Sequence, residues 1–395
     1  MSKNPKITLL GNNSGRNLGD AAILSSILEM LKNRVPEAEV LVPTLNPKFV
    51  DDHYGEQYNM KAVDVRPRTF SMRLLGIPTM AALAKSEIAL ICDGIIFGYK
   101  LFSPHNFLIT LFFIVPWARL CGCKVVIFSC GIGPFPSKLS EKMARFVIDL
   151  CDLVIMREHD SEKLAKEIGV KTPIQVTGDA AFVNPVSDRS GAQKIADENN
   201  LDLSKPILGL NITPYVDSWL TKERKIGSKQ DYLEQYAKSV SEAIEIIKKS
   251  RAEEPQRVVY SCSPMDEQFS RTFAEKIGGV VIDNTRYLSH DIMALMRETG
   301  LLIGMRFHSC VLASGSGTPI IGLVYAPKVR GYMRQLDCEE YSVELKEIWN
   351  EDFPEILARG WQERDKLKEK QQKVVAELKK GALDAADQLK DKYFS

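Results

Sequence analysis

Leu301-Leu302-Ile303-Gly304-Met305-Arg306-Phe307-His308-Ser309 and, a little further on, Thr318-Pro319-Ile320-Ile321-Gly322-Leu323-Val324-Tyr325-Ala326-Pro327-Lys328 are the stretches that decide the fold. The apolar run Leu301–Gly304 stops abruptly at Arg306 and His308, a small-residue segment follows, and Pro319 introduces a second apolar run, Ile320–Val324. This reads as strand, loop, short helix, strand. It puts the arginine and the histidine at the carboxyl end of a strand, where open α/β sheets bind ligands. A cation and an imidazole at a helix amino end suit a small phosphorylated acid. Lys328, just past the second strand, can close on the same anion.

Outward from there the same alternation recurs. Strand-like runs precede it at Ile207–Asn211, Arg257–Cys262 and Val280–Asp283, with helical patterns at Asp231–Lys249, Asp266–Gly278 and Asp291–Thr299. The first half carries Ile7–Gly11, Glu39–Pro43, Ile88–Cys92, Lys124–Gly131, Leu153–Arg157 and Gln175–Gly178, again with helices between; Ile23, Ile27, Met30 and Leu31 share one face. Strands alternating with helices mean parallel sheets wrapped by helices. We therefore expect an α/β protein of two doubly wound, Rossmann-like domains, residues 1–185 and 206–345, facing a ligand cleft. A polar stretch, 186–205, reads as the linker. A charged helical tail, 346–395, is expected to pack back through Leu357, Trp361, Leu367, Val374, Val375, Leu378, Leu383 and Leu389.

Composition narrows the function. A net charge of +1 leaves no broad electrostatic footprint for nucleic acid. The eight cysteines form no CxxC pair and histidines number five, so no metal centre is expected. Scattered thiols and an amino terminus without a long apolar stretch point to the cytoplasm. Phe107–Val115 is strongly apolar but ends at Pro116, too short for a bilayer core of about 30 Å. It reads as a buried helix, with a membrane-touching face as the other reading.

Four further segments can carry chemistry. Gly11-Asn12-Asn13-Ser14-Gly15-Arg16-Asn17-Leu18-Gly19-Asp20 joins the first strand to the first helix. Its glycines let backbone N–H groups approach a ligand, yet it is neither the dinucleotide fingerprint nor a P-loop. Equally, it is a turn with Asp20 capping the helix. Cys130-Gly131-Ile132-Gly133-Pro134 ends a strand and reads either as a tight turn or as a ligand loop. Arg157 closes the next strand, like Arg306, with surface pairing to Glu158 or Asp160 as the plainer role. Asp179 closes another, capping a turn or facing the cleft.

Together, in order, these pieces resemble the polysaccharide pyruvyl transferase family over roughly residues 6–335. The elements are Gly15-Arg16-Asn17-Leu18-Gly19-Asp20, Gly131-Ile132-Gly133-Pro134, Arg157-Glu158 with Ser161, Leu164 and Gly169, Asp179-Ala180-Ala181-Phe182, Arg306-Phe307-His308, and Pro319 to Lys328. One departure stands out. Where the family has a run of glycines, this chain reads Cys92-Asp93-Gly94-Ile95-Ile96-Phe97-Gly98.

The resemblance implies a glycosyltransferase-B-like architecture. It also implies transfer of the pyruvyl group of phosphoenolpyruvate, as co-substrate and without a cofactor, onto a sugar of a polysaccharide or its lipid-linked precursor, giving a cyclic ketal. The expected substrate-binding residues are Arg157, Arg306, Asn17, Gly131, Asp179 and Lys328. His308 is expected as proton donor and Asp20 as acceptor base, with Asp93 and Asp179 behind it. Location in the cytoplasm is expected, with peripheral contact at the inner face of the plasma membrane. The competing readings are a glycosyltransferase or sugar-nucleotide epimerase of the same architecture, and a non-enzymatic binding module.

Overall fold

A computed structural model describes residues 4–65, 76–93, 107–214 and 228–394. The chain forms two compact units, one of Met1–Gly15, Asp20–Pro185 and Leu378–Ser395, the other of Arg16–Gly19 and Val186–Glu377.

The first unit is built on a seven-stranded parallel sheet of order β3-β2-β1-β4-β5-β6-β7. The strands are β1 (Lys6–Leu10), β2 (Glu39–Thr44), β3 (Met60–Asp64), β4 (Ile88–Ile91), β5 (Lys124–Cys130), β6 (Leu153–Met156) and β7 (Ile174–Val176). Its helices are α1 (Leu18–Arg34), α2 (Pro47–Val50), α3 (Ile77–Leu83), α4 (Phe107–Leu120), α5 (Lys138–Asp149) and α6 (His159–Glu167). The central strands read as unbroken apolar runs because both faces are covered, and β4 and β6 are buried at every residue. Strand order reverses between β1 and β4, so the loops after these strands border the ligand-binding crevice of such a sheet.

The second unit repeats the plan with six parallel strands, β10-β9-β8-β11-β12-β13. They are β8 (Ile207–Leu210), β9 (Gln256–Ser261), β10 (Val280–Asp283), β11 (Leu301–Gly304), β12 (Ile320–Val324) and β13 (Ser342–Glu344). Its helices are α7 (Arg189–Glu198), α8 (Lys229–Arg251), α9 (Glu267–Ile277), α10 (Ser289–Arg297), α11 (Phe307–Ser316), α12 (Pro327–Gln335), α13 (Phe353–Gln362) and the first part of α14 (Arg364–Tyr393). Here the order reverses between β8 and β11, so Arg306 and His308 stand directly beyond the reversal. The doubly wound α/β reading is thus the observed fold.

Several local expectations are corrected. Residues 186–205 are not a plain linker, since they contain α7, whose Ala192, Ile195 and Ala196 are buried and which packs on α10. The apolar helix does not end at Pro116 but runs on to Leu120 as α4. Two edge strands, β3 and β13, were not foreseen, being half polar and three residues long respectively. In the tail, Trp361, Leu367, Val375, Leu378 and Leu389 are buried, whereas Leu383 is exposed. Gln371 of α14 clasps Ile320 of β12 through both backbone groups, and further along Arg34 of α1 bonds Asp387 at 2.7 Å.

Candidate functional site

In the second unit the site is assembled by three strand ends. β8 delivers Asn211, whose side-chain oxygen accepts from the N–H of Arg306 at 2.6 Å, the N–H of Met305 at 3.3 Å and the hydroxyl of Ser309 at 3.0 Å. Its amide donates to the Tyr260 carbonyl of β9 at 2.7 Å. One buried asparagine therefore ties β8 and β9 to the loop that opens α11, with its oxygen and amide bonded on opposite sides.

Arg306 projects from that loop onto Asp266, the residue that opens α9. Nε to Oδ2 is 2.9 Å and Nη2 to Oδ1 is 2.6 Å, a bidentate fork. Asp266 is wholly buried and also accepts from the Thr213 hydroxyl at 2.9 Å. Arg306 keeps 19% of its side-chain surface, so the clamp aims the guanidinium without sealing it off. Burial works against its charge, but Asp266 outweighs burial and the guanidinium stays firmly protonated. The Tyr325 hydroxyl, at the end of β12, sits beside Arg306. Burial pushes it up while Arg306 pulls the other way, with a net rise, so it remains a donor at neutral pH.

His308 occupies the first turn of α11 and is half buried. Its imidazole packs against Gly19, in the segment Arg16–Gly19 that belongs to the same unit. A Cβ at Gly19 would come within 2.1 Å of Nδ1 and 2.3 Å of Cγ, so only glycine permits this seat. The segment is fixed by Leu18 N–H to the Cys262 carbonyl at 2.9 Å and by Gly19 N–H to Asn17 Oδ1 at 3.0 Å. Asn17 thus bonds the first turn of α1, which corrects the expectation that Asp20 caps the helix; Asp20 lies within that first turn. Lys328 stands half buried in the first turn of α12.

In the first unit Arg157 is placed differently from the expectation. Its side chain is 1% exposed, with Nη1 on Asp179 Oδ2 at 2.9 Å and Nε facing Glu158 Oε2 at 3.3 Å. Burial opposes the charge, and Glu158 and Asp179 overcome it, leaving the guanidinium held protonated. Asp179 also accepts from Ala181 N–H at 2.9 Å, and Glu158 from the Ser161 hydroxyl at 2.8 Å, which in turn accepts from Ile132 N–H at 3.0 Å. A Cβ on Gly131 would meet Arg157 Nε and Glu158 Oε1 at 2.9 Å, so this glycine makes room for the pair. These groups tie together the ends of β5, β6 and β7. The pairing with Glu158 is thus present but buried, not on the surface, and Asp179 takes the other side of the guanidinium.

Asp20 is half buried and accepts from the Asn12 amide. Asp93, at the end of β4, is buried. Burial, then Asp93, then Asp20 raise the Cys92 thiol, so both carboxylates flank the strand reversal of this sheet. The shortened glycine run at 94–98 lies outside the described residues. Among the described residues no group of three or more His, Cys, Asp or Glu side chains gathers as a metal would require, and no helix is long and apolar enough to cross a membrane. Sequence reasoning missed Asn211, Asp266, Tyr325 and the role of Gly19. The available signal was a polar residue directly after an apolar run at Asn211, and a helix-opening aspartate at Asp266.

A family model described as polysaccharide pyruvyl transferase matches residues 17–327. The amylovoran biosynthesis protein AmsJ of Erwinia amylovora is 24% identical over 384 residues, covering 87% of this chain and 89% of that protein. Among solved structures, UDP-GlcNAc 2-epimerase from Neisseria meningitidis bound to UDP-GlcNAc superposes with a TM-score of 0.59 at 12% identity, covering 99% of each chain. A glycosyltransferase from Rickettsia africae gives 0.57 at 9% identity, covering 100% of this chain and 98% of that one. At such identities these two likenesses speak for the fold, which is glycosyltransferase-B-like.

Proposed function

The chain belongs to the polysaccharide pyruvyl transferase family, and on that premise we propose that it moves the pyruvyl group of phosphoenolpyruvate onto two hydroxyls of a glycan, giving a cyclic ketal and phosphate. The acceptor is a sugar of a polysaccharide or of its lipid-linked precursor, reached on the cytoplasmic side by peripheral contact with the membrane. The observation that carries this reading is the pairing of a clamped but accessible Arg306 with His308, seated on Gly19 at the amino end of α11.

Phosphoenolpyruvate is a small, densely anionic donor, and the amino end of α11 with Arg306 and Lys328 supplies the charge it needs. His308 delivers a proton to the methylene carbon, which becomes a methyl group and leaves the neighbouring carbon cationic. A sugar hydroxyl attacks that carbon and gives its proton to a carboxylate. Phosphate then departs, taking the C–O bonding pair, and the second hydroxyl closes the ketal, passing its proton to the His308 imidazole left neutral by the first step. Asp20 is the base in this scheme and Asp93 stands beside it at the same strand reversal, whereas Asp179 is committed to Arg157. Arg157 and Gly131 act indirectly, by holding the ends of β5, β6 and β7 in place.

Phosphate release from phosphoenolpyruvate that depends on added glycoside, with product mass rising by one pyruvyl ketal, tests the proposal. His308→Ala should reduce that release by about 10²–10⁴-fold, the usual worth of general acid catalysis. Release at the normal rate in that variant would remove the histidine from the chemistry. Stabilisation by UDP-sugars in place of phosphoenolpyruvate would favour a nucleotide-sugar enzyme.

A further inference from the structure

We propose that the α4–α5 face of the first unit is a docking surface for an anionic lipid bilayer. This deepens the reading of a membrane-side acceptor and rests on it, but its test requires no pyruvyl transfer. Phe113 (59% exposed), Leu120 (83%), Leu139 (53%) and Phe146 (44%) all stand on α4 and α5. They form half of the large apolar side chains that the described residues leave exposed. Each pair is two turns apart on its own helix, so each makes a stripe along one face. The stripes are joined by Phe112, whose ring centroid lies 5.1 Å from that of Phe146 and 5.6 Å from that of Phe113. The patch is therefore continuous across two neighbouring helices, not a scatter of single residues.

α4 buries one apolar side against the sheet through Phe107, Leu111, Ile114 and Val115, yet its solvent side is apolar as well. An ordinary surface helix has a polar outer face. The 14 described residues of α4 are fewer than the about 20 that a bilayer span needs. A helix in that position is suited to lying in the headgroup region.

Charge selects the partner. Lys142 sits between Leu139 and Phe146 along α5, and Arg145 adjoins Phe146; both are exposed and enter no ion pair among the described residues. The nearby acids are already engaged. Glu141 holds Lys138 at 2.9 Å, Asp152 pairs with Arg119 and Lys124, and Asp149 accepts the N–H groups of Lys171 and Thr172. The patch thus presents aromatic and aliphatic tips beside net positive charge, the combination that binds anionic headgroups. A second copy of the chain would set like charges against each other across the same apolar contact.

Flotation of the full-length protein with vesicles tests this, using phosphatidylcholine alone and an equimolar mixture of phosphatidylcholine and phosphatidylglycerol. The protein should float with the mixed vesicles, and less so as salt rises. The double variants Phe113→Ser/Phe146→Ser and Lys142→Glu/Arg145→Glu should each lower the bound fraction roughly tenfold or more, since each changes two contacts that act together. Transfer to a soluble glycoside should stay at parent values, and melting temperature should fall by only a few degrees in the Phe variant, which loses its ring contacts with Phe112. Three outcomes would overturn the proposal: no flotation of the parent, equal flotation of parent and variants, or a parent dimer that the Phe variants dissolve. Lipid binding without phosphoenolpyruvate turnover would leave the docking surface standing and remove the proposed reaction; the converse would do the opposite.

Discussion

Two strand-end arginines look alike in sequence and differ in place. Arg157 follows β6 and is clamped by Asp179; Arg306 follows β11 and is clamped by Asp266. Each aspartate opens a helical turn, Asp179 before Ala180–Val183 and Asp266 before α9. The exposures separate them, 1% for the Arg157 side chain against 19% for that of Arg306. The same device serves two ends. In the first unit it cross-links strands, and in the second it aims a cation while leaving part of it accessible. An arginine at a strand end can meet a ligand only where its partner carboxylate leaves it a face.

The sharpest way to break this contrast is Arg157→Ala. It strands the buried Asp179 carboxylate and should cost about 3–5 kcal/mol of stability, read by chemical denaturation. A variant as stable as the parent but weak for phosphoenolpyruvate would invert the assignment. Next comes Gly19→Ala, which should displace the His308 ring and lower kcat by about 10²-fold with little change in melting temperature, as misplacement of a reacting group by ~1 Å does. An unchanged kcat would show that the ring does not need its seat. Arg306→Lys keeps the charge but loses the fork. It should lower kcat/KM for phosphoenolpyruvate roughly tenfold to a hundredfold, the worth of about 1.5–3 kcal/mol for a charge-assisted bond.

Much of this was legible in the sequence where an apolar run ends in a polar group. Arg306, His308, Arg157 and Asp179 each announce themselves that way, and the alternation of strands with helices gave the doubly wound fold. What stayed hidden depends on strand order. Asn211 meets Arg306 across 95 residues and Asp266 meets it across 40, because β8 lies between β9 and β11. Nothing local states that adjacency. The burial of Arg157 was hidden for the same reason, since Asp179 reaches it from β7. β3 and α7 escaped notice because each buries few apolar side chains, Met60 in one and Ala192, Ile195 and Ala196 in the other.

The smallest effect concerns the thiols beside the two arginines. Burial raises Cys130 and Cys262, outweighing the opposite pull of Arg157 and Arg306, and takes Cys310 from 9.0 up to about 12. Such thiols favour the folded state below the unfolded thiol range, and that contribution is lost as pH rises from about 9 towards 12. Alkylation near neutral pH should therefore mark exposed Cys121 and spare these three, and stability should decline above about pH 9. Faster labelling of Cys262 than of Cys130 would sharpen the contrast in accessibility.

Calorimetric titration of phosphoenolpyruvate into the parent, Arg306→Lys and Arg157→Lys tests the central claim most directly. The account predicts binding to the parent and a clear loss of affinity in Arg306→Lys. It also predicts parent-like affinity in whatever fraction of Arg157→Lys remains folded. Undiminished binding to Arg306→Lys, or no binding to the parent at all, would contradict it.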